Sequence, residues 1–107
     1  MNPKLCLVMT TCADREQAER LARRLVEQRM AACVSIGSPT VSVYPWEGRV
    51  EVEREIPLSI KTSPKHIDKL KRAFEQIHDY DVPEMLVLPV IDGLQPYFDW
   101  ADDWMNE

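Results

Sequence analysis

Cys12 and His78 are the side chains of this sequence best suited to chemistry, because a thiolate and an imidazole together suit copper or zinc. Carboxylates or water would complete such a shell. The two residues lie far apart in the chain, so only the fold can join them. Each also has a structural reading: a histidine at a helix end meets the last carbonyls, and a small cysteine after a strand packs. His66 falls in the first turn of a helix among charged residues and is expected at the surface. Cys33 follows Ala31 and Ala32, where close packing favours a structural thiol, and Cys6 reads as core. Glu51, Glu53 and Glu55 recur at period two, which fits hard cations or, more simply, a solvated or interfacial face.

Composition narrows the function. Thirteen basic residues stand against 18 acidic, a net charge of -5, so phosphate backbones are repelled at long range and nucleic acid is not expected as a partner. No G-x-S-x-G, Walker loop or G-x-G-x-x-G occurs, and three glycines cannot build a phosphate cradle. With two histidines and no triad-like arrangement, no enzyme is expected. The three cysteines are an odd number without a C-x-x-C pair, which favours a reducing, cytoplasmic setting. The apolar run Leu5 to Met9 is shorter than a signal peptide or a membrane span requires, so no membrane association is expected.

The elements that must position these residues follow from periodicity. Residues 4–12 are apolar on both parities, as in a central strand. Asp14 and Gln17 form a capping-box-like pair, and Ala18, Leu21, Ala22, Leu25 and Val26 then make one helical stripe. A second strand over 32–44 breaks near Gly37-Ser38-Pro39, and Tyr44 to Gly48 reads as a turn. Val50, Val52, Ile56, Leu58 and Ile60 alternate with polar residues along a third strand ending at Thr62, where only Arg54 breaks the pattern. Ser63-Pro64 opens a second helix through Ile67, Leu70, Phe74 and Ile77, ending near His78. Met85–Ile91 is a last strand whose Pro89 points to an edge or a bulge. The tail, Gln95 to Met105, reads as a short helix docked by its aromatics.

The order β-α-β-β-α-β plus a C-terminal helix is a single α+β domain over 1–107 of ferredoxin-like split βαβ form. It predicts a four-stranded antiparallel sheet with two helices on one face. Cys12, the Trp46–Gly48 turn, His78, Asp79, Tyr80 and Glu84 then share one end of the sheet, with Cys33 and Lys61 nearer the other. Long second and third strands and exposed edges need partners, and a three-fold ring would supply them. An RNA-recognition domain has the same topology, but the third strand is acidic and lacks aromatics.

Five stretches occur in order: Ala31-Ala32-Cys33-Val34, Tyr44-Pro45-Trp46-Glu47-Gly48, Ile60-Lys61-Thr62, His78 to Glu84, and Tyr97-Phe98-Asp99-Trp100. Together the chain resembles the CutA family of divalent-ion tolerance proteins from about Leu7 to Trp100. The resemblance implies a tight homotrimer that binds divalent ions, copper (Cu²⁺) first and zinc (Zn²⁺) next, without catalysis. It also implies an alternative, a trimer similar to the nitrogen-regulatory PII proteins with a small effector between subunits. Candidate residues for such a cleft are Cys33, Trp46, Glu55, Lys61, Tyr80 and Trp100. Asp79 departs from the family's usual His-Pro-Tyr, and Ser35 from its usual Asn.

Overall fold

Asp14 starts the first helix as its sequence requires: its Oδ1 accepts the Gln17 N–H at 2.8 Å. The computed structural model describes residues 4–106. It runs through β1 (Leu5–Cys12), α1 (Arg15–Glu27), β2 (Cys33–Ile36), β3 (Thr40–Trp46), β4 (Arg49–Thr62), α2 (Ile67–Ile77), β5 (Leu86–Val90) and α3 (Gln95–Met105). The sheet order is β2-β4-β1-β5 with antiparallel pairing throughout, and β3 pairs with β4. This is the expected split βαβ arrangement. β1 is central, and β5, with Pro89, is an edge.

The core lies between the sheet and two helices. Val8, Leu58 and Ile60 from the sheet meet Leu25 of α1 and Leu70 of α2, all essentially inaccessible to water. β4 divides in function along its length. Ile56 to Thr62 lies between β1 and β2, whereas Arg49 to Glu55 pairs with β3 alone. The β3–β4 arm therefore extends past the layered core, and the molecule measures 45 × 26 × 24 Å. The expected break at Gly37-Ser38-Pro39 separates β2 from β3 along one edge of β4.

Three local expectations are corrected. The turn is confined to Glu47 and Gly48, whose φ values of 50° and 78° match the twist of a two-residue hairpin. Tyr44, Pro45 and Trp46 belong to β3, and Pro45 is tolerated there because β3 is an edge strand. Ser63 does not cap a helix with its side chain; Pro64–His66 forms a 3-10 turn, and Ser63 Oγ bonds His66 Nδ1 at 2.6 Å. His66 itself is buried rather than surface-solvated, because the C-terminal helix covers it and the Met105 backbone hydrogen-bonds its ring. Burial first, and then Lys69 and Lys65, hold its pKa below the usual histidine value.

α3 docks by part of its aromatic set. Phe98 and Trp104 pack beside buried Ala101 and Met105, and Trp104 donates Nε1–H to the Val26 carbonyl at 2.9 Å. Arg29 stacks 3.7 Å over the Trp104 ring. Tyr97 and Trp100 pair with each other at 5.4 Å and remain exposed. No described helix is long and apolar enough to cross a membrane.

Candidate functional site

Three separated segments converge at the far end of β1. β1 supplies Thr11, the β3–β4 arm supplies Glu55, and the loop after α2 supplies His78 to Glu84. Alternation puts Ile56 on the helix face of β4, so Glu55 points to the opposite face, as does Thr11 beside Cys12. Glu55 Oε2 accepts from Tyr80 Oη–H at 2.7 Å and from Thr11 Oγ1–H at 3.0 Å. Burial raises the Glu55 pKa, but hydrogen bonds from Tyr80, Ser42 and Thr11 outweigh it and hold the carboxyl below its ordinary value. Tyr80 responds in the opposite sense: burial and the Glu55 carboxylate raise its phenol well above the normal range.

His78 holds this loop to the sheet. Its Nδ1 accepts the Tyr80 N–H at 3.1 Å, so Nε2 carries the proton in the neutral ring and donates to the Thr11 carbonyl at 2.9 Å. Thr10 Oγ1 lies 3.3 Å from the same nitrogen. Burial is the main cause that lowers the His78 pKa and favours this neutral form. Neither nitrogen then offers a spare lone pair to an ion. Cys12 is buried, and its thiol is pushed up to about 11 by burial, with Asp79, Asp14 and Glu55 adding to the effect. Both members of the expected Cys12–His78 pair reach the predicted end of the sheet, where His78 is hydrogen-bonded through both ring nitrogens and Cys12 is buried.

The space beside Glu55 is a cavity of about 720 Å³. Its walls include Tyr44, Trp46 and Tyr80, with Val43 and Val82 between them. Glu55, Asp79, Asp81 and Glu84 bring four carboxylates to its lining, and Thr11 and Ser42 add hydroxyls. Asp79, which stands where the family pattern has Pro, bonds Arg20 of α1 at 3.1 Å. Among the described residues, no three His, Cys, Asp or Glu side chains close on a single point as a metal centre does.

The six candidate cleft residues fall in three places within one subunit. Glu55, Tyr80 and Trp46 line the cavity. Cys33 and Lys61 are register partners on β2 and β4, with Lys61 Nζ 3.8 Å from Cys33 Sγ and 3.4 Å from Ser35 Oγ. Cys33 is only partly covered, unlike Cys6 and Cys12, and all three thiols are free. Trp100 lies on α3 with Tyr97. Sequence reasoning brought Asp79 and Glu84 to this end of the sheet but did not single out Thr11, Ser42, Tyr44 or Asp81 as lining residues. The Asp79-Tyr80-Asp81 and Glu84 run, with three carboxylates around Pro83, is the signal that could have found Asp81.

The fold is a ferredoxin-like α+β domain with one cavity beside Glu55. The family model for the CutA1 divalent ion tolerance protein matches residues 6–104, and the chain belongs to that family, one of cation-tolerance proteins rather than enzymes. The divalent-cation tolerance protein CutA of Thermus thermophilus is 39% identical over 94 residues, covering 88% of this chain and 91% of its own. The crystal structure of the stable protein CutA1 from the psychrotrophic Shewanella sp. SIB1 superposes with a TM-score of 0.94 at 34% identity, covering 100% of both chains. The Archaeoglobus fulgidus structure, described as a periplasmic divalent cation tolerance protein CutA, gives a TM-score of 0.91 at 32% identity, covering 94% of this chain and 98% of its own.

Proposed function

We propose that this chain works as a non-enzymatic homotrimer of the cytoplasm that binds divalent cations, copper first and zinc after it. The observation that carries the reading is that Glu55, Asp79, Asp81 and Glu84 all line one cavity. Oxygen donors replace the expected thiolate and imidazole. Copper keeps its rank, because affinity at a given donor set rises to Cu²⁺ across the first-row divalent ions. Since no three donors converge within the described chain, water and a neighbouring subunit complete the shell.

The trimer is supported by what one subunit leaves open. Val41, Val43, Val50 and Val52 of the β3–β4 arm are each more than 60% exposed. A two-stranded ribbon of this kind is marginal alone and presents unpaired edges. Packing by further copies would cover both the valines and the edges. The cytoplasmic setting is supported by three cysteines that form no disulfide with one another; cell fractionation with a tagged chain tests it.

The cavity also favours a second reading. About 720 Å³ with aromatic walls is the scale of a small-molecule site, which fits a PII-like regulatory trimer holding a small effector.

Calorimetric titration of metal-stripped protein with Cu(II), then Zn(II), tests the first reading. Stoichiometric heat that Glu55→Gln diminishes and His78→Ala retains is expected. Absence of stoichiometric heat in the unmodified protein overturns it.

A further inference from the structure

A groove of about 400 Å³ runs between α1 and α2. Arg24 of α1 and Lys69 and Arg72 of α2 are the charged residues of its lining, and no Asp or Glu joins them. Among the described residues none of these three makes an ion pair, whereas Arg20 and Arg23 of α1 are paired with Glu16, Asp79 and Glu27. Met30, Ala73 and Ile77 add apolar surface to the same groove.

The charge is concentrated against the trend of the chain. The net charge is -5, yet α1 holds four Arg against three Glu, and Pro64–Ile77 holds four Lys and Arg against two acidic residues. The cations also sit where the helix gains least from them. Lys69 and Arg72 are three residues apart on α2, a spacing at which like charges repel. Lys69 belongs to the first turn, the helix end that disfavours a cation. An arriving anion relieves both costs. None of the lining residues lies in a β-strand, so the β3–β4 arm and the sheet edges assigned to subunit packing are elsewhere. A trimer would carry three such grooves.

We propose that this groove docks an acidic segment of a partner protein, a stretch in which Asp or Glu residues flank an apolar side chain. The carboxylates meet Arg24, Lys69 and Arg72 in charge-assisted hydrogen bonds, and each guanidinium can hold a carboxylate by two parallel bonds. The apolar side chain covers Met30, Ala73 and Ile77, surface that a free phosphate ion would leave unused. Nucleic acid is repelled by the acidic remainder of the chain. A bilayer is flat where this surface is concave. The proposal stands independently of the cation and effector readings, because it uses neither Glu55 nor its cavity.

The test is a ¹H–¹⁵N titration of the full chain with a capped Glu-Glu-Leu-Glu-Glu peptide. Saturable shifts are expected at Arg24, Arg72 and Gln76, with the Trp46 indole signal unmoved. Arg24→Gln and, independently, Arg72→Gln change exposed side chains and should each weaken the peptide roughly tenfold, the loss of one charge-assisted contact. Replacing the peptide's leucine by glycine should weaken it roughly tenfold as well. Equal binding of Gln-Gln-Leu-Gln-Gln would remove the charge argument and overturn the proposal. Undiminished binding of the glycine peptide, with displacement by inorganic phosphate at matched charge, would mean a bare anion site and overturn it too. Tighter binding of phosphatidylglycerol vesicles or of a single-stranded thymidine oligonucleotide at the same signals would reassign the groove to a membrane or to nucleic acid. If millimolar peptide leaves the groove signals unmoved, no acidic segment docks there and the proposal falls.

Discussion

His78 and Thr11 are joined by an Nε2–H···O=C hydrogen bond of 2.9 Å, which ties the loop after α2 to the last turnward residues of β1. The same ring accepts the Tyr80 N–H on its other nitrogen. His78→Ala removes both bonds from a partly buried position. It is expected to lower unfolding stability by about 1–3 kcal/mol, read as a reduced urea midpoint. Stoichiometric Cu(II) heat should persist in the folded variant. Loss of that heat with an unchanged midpoint would restore His78 as a ligand.

Acidification should destabilise the fold through the same histidine and through His66. Both have folded pKa values below the unfolded histidine value, chiefly because burial disfavours their charged forms. Between the folded and unfolded values the unfolded chain binds more protons, so stability rises with pH there. Their contribution is full above about 6.5, the ordinary histidine value, and is lost as pH falls through the lowered folded values. Urea midpoints from neutral to mildly acidic pH check this. Replacing both residues by Gln should flatten that part of the profile.

Tyr80 and Glu55 form a coupled pair, with a phenol donating to a carboxylate at 2.7 Å. Glu55→Gln removes the charge that helps raise the Tyr80 pKa. Spectrophotometric titration should therefore show one tyrosine ionising at lower pH in the variant. Unchanged tyrosine titration would mean that the bond is not kept in solution.

Val43 and Val52 are register partners on the exposed arm. The double change Val43→Lys and Val52→Lys puts two like charges opposite each other on the surface assigned to subunit packing. Sedimentation is expected to show the trimer mass falling toward that of one subunit. A mass near one subunit for the unmodified chain would remove the trimer altogether.

Leu25 is fully buried between α1 and the sheet. Leu25→Ala should cost about 2–5 kcal/mol, from lost transfer energy plus the cavity left behind. Equilibrium urea unfolding measures it. A loss below about 1 kcal/mol would mean that the surrounding side chains collapse into the space.

Most of the element order is readable along the chain because it depends on short-range physics. The Asp14 cap, the helical stripe through Leu25, the alternation along β4 and Pro89 on an edge strand each follow from local periodicity or a missing donor. His66 is different. Charged neighbours in sequence predict solvent, but α3, which begins almost thirty residues later, covers it. The two-residue turn at Glu47-Gly48 is likewise tighter than the Pro-containing stretch suggested, because pairing runs on to Trp46 and Arg49.

Local periodicity and residue type were enough for the split βαβ fold, the end of the sheet where Cys12, His78, Tyr80 and Trp46 gather, and the acidic character of that end. Which partners each side chain finds there depends on contacts between segments far apart in the chain. His78 looks like a ligand by residue type, yet its nitrogens are occupied by Thr11 and Tyr80. Cys12 looks like an accessible soft donor, yet the fold buries it and burial pushes its thiol up to about 11. Glu55 looks like one of three equivalent surface glutamates, yet it is the one that meets Thr11 and Tyr80, at 3.0 and 2.7 Å. Residue type sets what a side chain can do. Hydrogen-bond partners and burial, which depend on contacts between distant segments, select what it does here.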